Sequence, residues 1–175
     1  MAFSDPERNI EQFALNKKET VADLGSGSGF YTFAAARAVG SEGRVYSIDI
    51  QKDILNRVKK EADTKGLHNV EIVWGDTEKV GGTRLREASI DAAIASNILF
   101  QLSDRETFAE ETYRMLRPGG RLLVVDWSGT GMLSPRAEDI FSEEQARALF
   151  SANHFVFEKN ISAGDHHYGL IFKKQ

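Results

Sequence analysis

No cysteine occurs among the 175 residues. That excludes disulfides, cysteine-ligated zinc and thiol catalysis together. No stretch approaches the roughly 18 consecutive apolar residues that a membrane-crossing helix needs. An excess of positive charge is missing too. Lys and Arg number 22 against 26 Asp and Glu, a net charge of −4, so nothing draws the whole chain to nucleic acid, although a local basic patch stays open. The sequence shows no internal repeat, low-complexity tract or domain linker. Its start, Met1-Ala2-Phe3-Ser4-Asp5-Pro6, lacks the charged-then-apolar layout of a secretory signal, so a cytoplasmic protein is expected. A chain of this length, 41% apolar and 27% charged, fits one globular domain with a sizeable core, taken here as residues 1–175.

What the chain does have is concentrated in Thr20–Tyr31. A short β-prone run ends at Leu24, three alternating glycines follow (Gly25, Gly27, Gly29), and a helix rich in alanine starts at Phe30. Strand, glycine turn and helix bring backbone N–H groups and a helix N-terminus up to a ligand. Glycine suits the turn because it tolerates positive φ and has no Cβ to hold the ligand off. Asp23 sits just before it. The pattern is not the dinucleotide fingerprint, whose third glycine would fall at Phe30, and no Gly-Lys-Ser/Thr follows as a phosphate loop requires. A tight turn without a ligand would look the same. A second strand-like run, Arg44–Ile48, ends in Asp49, where an α/β sheet places the acid that holds a ribose diol. Together the two features point to a nucleoside.

The remaining chain reads as alternating strands and helices. Asp5-Pro6 opens an N-terminal helix within residues 1–19, and Gln51 leads a helix closed by Gly66. Val70–Trp74 and Ile90–Ala95 are predicted strands three and four, with irregular chain over Glu78–Ser89 between them. Ser103 with Glu106 predicts a capping box, and the helix it starts stops at Arg117-Pro118-Gly119-Gly120 ahead of strand five, Arg121–Asp126. A long loop from Ser128, spanning about residues 128–141 and holding Met132 and Leu133, is a candidate substrate lid. Ser142 with Gln145 is a second capping box, and His154–Ile161 and His167–Lys173 form a closing antiparallel pair. Alternation up to residue 126 predicts a parallel sheet with helices on both faces.

Four stretches in order resemble the class I S-adenosylmethionine-dependent methyltransferases. They are Val21–Gly29, the acid Asp49, Gly75-Asp76, and Leu116–Gly120 before strand five. Within that superfamily the layout is similar to the small-molecule group called methyltransferase type 11, or UbiE-like. The resemblance implies a single-domain, Rossmann-like seven-stranded sheet of order 3-2-1-4-5-7-6, with strand seven antiparallel. It also implies S-adenosyl-L-methionine as cofactor. The Gly25, Ser26, Gly27 and Gly29 backbone would contact its methionine and ribose parts, with Asp23 near its amino group. Asp49 would take both ribose hydroxyls, and Ile50 would lie along the adenine. Asp76 and Thr77 would read the adenine edge, while Ser96 and Asn97 would line the methyl-transfer zone. Asp76 also reads as an ordinary turn aspartate, and Asn97 as a plain loop residue.

Transfer from a sulfonium needs mainly a nucleophile held in line, and a base only where that nucleophile carries a proton. Asn97 and His167 are the candidate catalytic residues. His166-His167 begin the last strand, where one of them serves as base or orienter, or where they are a polar strand start with one histidine packed against the sheet. No metal is expected. Ser-Asn-Ile-Leu after strand four is not the Asn/Asp-Pro-Pro-Tyr/Phe motif of many nucleic-acid and protein amine methyltransferases, and the acidic chain also argues against nucleic acid. Arsenite methyltransferases share the layout but depend on cysteines, which are absent here. The expectation is methyl transfer to a small molecule. The alternatives are a silent cofactor-binding module acting through a protein partner, a protein or nucleic-acid methyltransferase, and a nicotinamide oxidoreductase, against which the lack of a Tyr-x-x-x-Lys pair counts. The oligomeric state is open.

Overall fold

The computed structural model describes residues 4–129 and 135–175. Helix α1, Pro6–Phe13, starts where expected: the Asp5 carboxylate accepts the Arg8 N–H at 3.3 Å, and proline occupies the first turn. Strand β1, Thr20–Leu24, feeds through the glycine turn into α2, Phe30–Val39. Next come β2, Arg44–Asp49, then α3, Lys52–Thr64, and β3, Val70–Trp74. Strand β4 is Ile90–Ser96, α4 is Arg105–Met115 and β5 is Leu116–Trp127. Helix α5, Glu143–Ala152, precedes β6, Phe155–Ile161, and β7, His167–Lys174.

The seven strands form one sheet of order β3-β2-β1-β4-β5-β7-β6. The first five run parallel, and β7 lies antiparallel between β5 and β6. Alternation along the strands divides the core. Ala22, Leu24, Ala93, Ala95 and Val124 meet α4 and α5 through Phe108, Met115 and Phe150 on one face. Val21, Val45, Ile94 and Val125 meet α1, α2 and α3 through Phe13, Phe33 and Val58 on the other. Helices on both faces explain why the central strands read as near-continuous apolar runs.

Three local expectations change. The cap of α4 is Asp104, not Ser103: its carboxylate accepts the Thr107 N–H at 3.0 Å and the Thr107 hydroxyl at 2.6 Å. A carboxylate one residue nearer the helix displaces the hydroxyl as acceptor. Strand five begins at Leu116 rather than Arg121. Leu116 pairs with Ile90 and Arg121 with Ala92, so Arg117–Gly120 loop out of the strand as an irregularity with Gly119 at φ 77°. Finally, His166 is not in the last strand. At φ 62° it closes the preceding turn, is exposed, and leaves His167 as the first strand residue. The second capping box stands as expected, with Gln145 N donating to Ser142 Oγ and Ser142 N to Gln145 Oε1. Met132 and Leu133, on which the lid expectation rests, lie outside the described residues.

Candidate active site

The carboxyl ends of β1, β2 and β4 open into two adjoining clefts. One, of about 220 Å³, is lined by Gly25, Gly27, Asp49, Ile50, Asp76 and Thr77, with Ile98 and Gln101 on its far side. The other, of about 270 Å³, is lined by Ser26, Gly27, Ser96 and Asn97, with Ser4, Tyr31 and Gln101. Gly25, Gly27 and Gln101 belong to both, so the glycine turn is the ridge between them.

The turn is held by its neighbour strand. Ser26 N donates to the Ile48 carbonyl at 2.9 Å, and Ser47 Oγ donates to Ser26 Oγ at 2.6 Å. Asp49 Oδ2 accepts the Gly27 N–H at 3.1 Å, and its Oδ1 accepts the Gln51 N–H at 2.9 Å. Two glycines matter for room. Gly27, at φ 50°, has nothing within 4 Å of the position a Cβ would take, so any side chain there would project into the clefts. A Cβ on Gly25 would collide with the Ile98 side chain that forms the cleft wall.

Around the first cleft, Asp76 is ionised. The Lys79 ammonium 3.0 Å away and the Glu78 N–H at 3.0 Å hold its carboxyl below the usual range, the lysine contact most strongly. Ile50 is 64% exposed although it lines a concave site, which leaves an apolar face for a ligand. The Ile50 carbonyl accepts the Trp74 indole N–H at 2.9 Å, which fixes the backbone below it. In the second cleft, Asn97 sits at φ 51°, tied by its N–H to the Val125 carbonyl at 2.8 Å. Its Oδ1 is shielded from water and has no donor.

Asp23 and Gly29 line neither cleft. The Asp23 carboxyl is buried beneath the turn, where Oδ2 accepts the Thr32 hydroxyl at 2.6 Å and Oδ1 has no partner. Burial raises its pKa to about 7, against the lowering effect of Thr32. Gly29 packs inward, against Val58 and Phe33. His167 also stands apart from the clefts, at the end of β7 opposite Trp127 of β5, the two ring centroids 4.2 Å apart. Among the described residues no cluster of His, Asp and Glu could hold a metal ion, and no helix is long and apolar enough to cross a membrane.

A sequence profile described as a methyltransferase domain matches residues 15–174, nearly the whole chain. The chain belongs to the methyltransferase-domain family. A methyltransferase relative from Klebsiella pneumoniae, the ubiquinone/menaquinone biosynthesis C-methyltransferase UbiE, is 32% identical over 120 residues, covering 68% of this chain and 47% of its own. An arsenite methyltransferase from Halobacterium salinarum is 32% identical over 113 residues, 65% of this chain and 28% of its own. The chain thus spans less than half the length of these two curated relatives. Among solved structures, a SAM-dependent methyltransferase from Aquifex aeolicus superimposes with a TM-score of 0.90 at 26% identity, covering 99% of this chain and 91% of the other. The class I fold and its S-adenosylmethionine cofactor, implied earlier by four motifs, therefore hold for this family member.

The methyltransferase clefts also use residues that sequence reasoning missed. Ile98 and Gln101 border the first cleft, and Gln101 Nε2 reaches the Asn97 carbonyl at 3.3 Å. Tyr31 and Ser4 border the second. Tyr31 had a signal, its place in the first turn of the helix after the glycines. Gln101 had none, because the short 3₁₀ turn Leu99–Gln101 that aims it follows no sequence pattern.

Proposed function

We propose that this chain transfers the methyl group of S-adenosylmethionine to a small-molecule acceptor by in-line displacement. The single observation that carries the reading is the cradle at the ends of β1 and β2, where Asp49 grips the Gly27 N–H and open space stands over Gly27. Bound there, S-adenosylmethionine supplies a methyl group on a positively charged sulfur, with a neutral leaving group. Asp49 is the acceptor for a ribose diol: two backbone N–H bonds already orient its carboxylate, and lone pairs remain for hydroxyl donors. The exposed Ile50 side chain covers one face of the adenine, and Asp76 with Thr77 meets its edge. Gly25, Ser26 and Gly27 approach the methionine portion. Ser96 and Asn97 bound the space where the reacting atoms meet, and the unpaired Asn97 Oδ1 suits the cofactor's ammonium group, a donor that the protein itself does not provide.

Asp23 acts from below, holding α2 through Thr32 rather than touching the ligand. A small-molecule acceptor is supported by the names of the UbiE and arsenite relatives and by the compact second cleft beside Asn97. The test is transfer of a labelled methyl from S-adenosylmethionine into a pool of small metabolites. Label in the small-molecule fraction above a blank supports the reading. Binding of the cofactor with no label leaving it points instead to a silent cofactor-binding module, and label in protein or RNA points to a macromolecular acceptor.

A further inference from the structure

We infer that the Gln101 side chain meets the cofactor at its sulfonium centre and turns its carbonyl oxygen, Oε1, toward that charge. The inference rests on the placement proposed above, with the nucleoside in the first cleft and the methionine portion in the second. Sulfur is the atom that joins those two portions, so it belongs where the clefts meet. Gly25, Gly27 and Gln101 are the residues common to both clefts. Two of the three are glycines. Among the described residues Gln101 is therefore the one side chain at the junction, opposite the glycine ridge.

Its backbone is fixed there. Gln101 ends the Leu99–Gln101 3₁₀ turn, which is gripped from two sides. The Asp126 carboxylate on β5 accepts the Leu99 N–H at 2.8 Å, and Arg105 Nε, at the start of α4, donates to the Leu99 carbonyl at 2.7 Å. Within the turn, Gln101 N donates to the Ile98 carbonyl at 3.1 Å. Ile98 in turn packs so closely on Gly25 that a Cβ there would collide with it, which sets the turn directly against the glycine ridge.

One orientation of the amide fits its surroundings. Gln101 reaches the Asn97 carbonyl at 3.3 Å, and a carbonyl can only accept, so Nε2 faces it and Oε1 lies at the other end. No described residue donates to Oε1, and the side chain is exposed, so a ligand in the clefts can reach it. The electrostatics suit a cation. Among the described residues no lysine or arginine lines either cleft, whereas Asp49, Asp76 and Glu78 line the first. A carbonyl dipole set against a positive sulfur is favourable, and more so in a cleft than in open water. The charge leaves sulfur with the methyl group, so the same contact favours the methyl donor over the spent cofactor.

The test is calorimetric titration with S-adenosylmethionine and with S-adenosylhomocysteine, which lacks the methyl group and the charge. Gln101→Met keeps the reach of the side chain and removes the dipole. It should shift the ratio of the two dissociation constants against S-adenosylmethionine by about fivefold, as for one hydrogen bond lost. Gln101→Glu puts a full negative charge in the same place and should shift the ratio the other way, by about threefold or more. Gln51→Met changes a residue that lines the first cleft alone, and should move both constants by one factor. A ratio within about twofold of wild type in either folded Gln101 variant would overturn the inference, as would an equal shift in Gln51→Met. Failure of the wild type to bind either ligand would instead defeat the underlying placement, and the inference with it.

Discussion

The Asp49 carboxylate reaches from the end of one strand to the glycine turn of the next, accepting the Gly27 N–H at 3.1 Å. One side chain therefore sets the turn and faces the ligand cleft. Replacing it with alanine should weaken S-adenosylhomocysteine binding by about 1.5–3 kcal/mol for each charged hydrogen bond lost. Asp49→Asn keeps the shape and one acceptor, and should lose less. Calorimetry on the folded variants checks this, and an unchanged affinity in Asp49→Ala would remove Asp49 from the site.

Gly27→Val tests the ridge between the clefts. The added side chain would occupy the open space above Gly27 and also force a branched residue to φ 50°. Cofactor affinity should vanish. Circular dichroism should show whether the fold persists, and a folded variant that still binds would place the ligand elsewhere.

How much of this was legible beforehand depends on range. Strands β4 and β5 carry unbroken apolar runs, Ala92–Ala95 and Leu122–Val125, and the glycine turn and Asp49 are local signals that needed no tertiary information. The closing antiparallel pair was legible locally, but the order of all seven strands came only from the resemblance, since pairing between distant segments leaves no local mark. His166 was misplaced because a left-handed turn residue and a strand residue look alike in sequence when neither is glycine. Gln101 was missed because its cleft position depends on a single 3₁₀ turn packed over the Asn97 backbone. The turn before His167 was legible as the joint of the closing pair, but the contact of the Asp165 carbonyl with the His167 ring was not, because it depends on the turn's three-dimensional path.

Tyr31 joins the N-terminal helix to the glycine turn. Its hydroxyl lies 2.8 Å from Ser4 Oγ and accepts the Asn9 amide at 2.7 Å, in a buried setting. Tyr31→Phe removes that acceptor and should cost about 1–3 kcal/mol of stability. Chemical denaturation should show a lower midpoint at unchanged slope. An unchanged midpoint would mean that the hydroxyl network does not anchor α1.

Buried carboxyls make stability depend on pH. Asp23 is raised by burial to about 7 and Asp126 to about 6, from an ordinary value of 3.8. The folded state then binds more protons than the unfolded one between those limits, so stability falls as pH rises from about 4 to about 7. For Asp23 the fall is at most about 4 kcal/mol, at 1.4 kcal/mol per pH unit. Asp23→Asn should flatten that part of the curve. Denaturation midpoints at pH 5 and pH 8 for both proteins check the sign, and stability that rises over this range in wild type would contradict it.

The most direct measurement is calorimetric titration of the wild-type chain with S-adenosylhomocysteine, with NAD as the comparison. The account predicts saturable binding of S-adenosylhomocysteine at one site per chain, abolished in Gly27→Val, and no competition from NAD. Absence of S-adenosylhomocysteine binding to the folded protein, or NAD displacing it from the same site, would contradict the account.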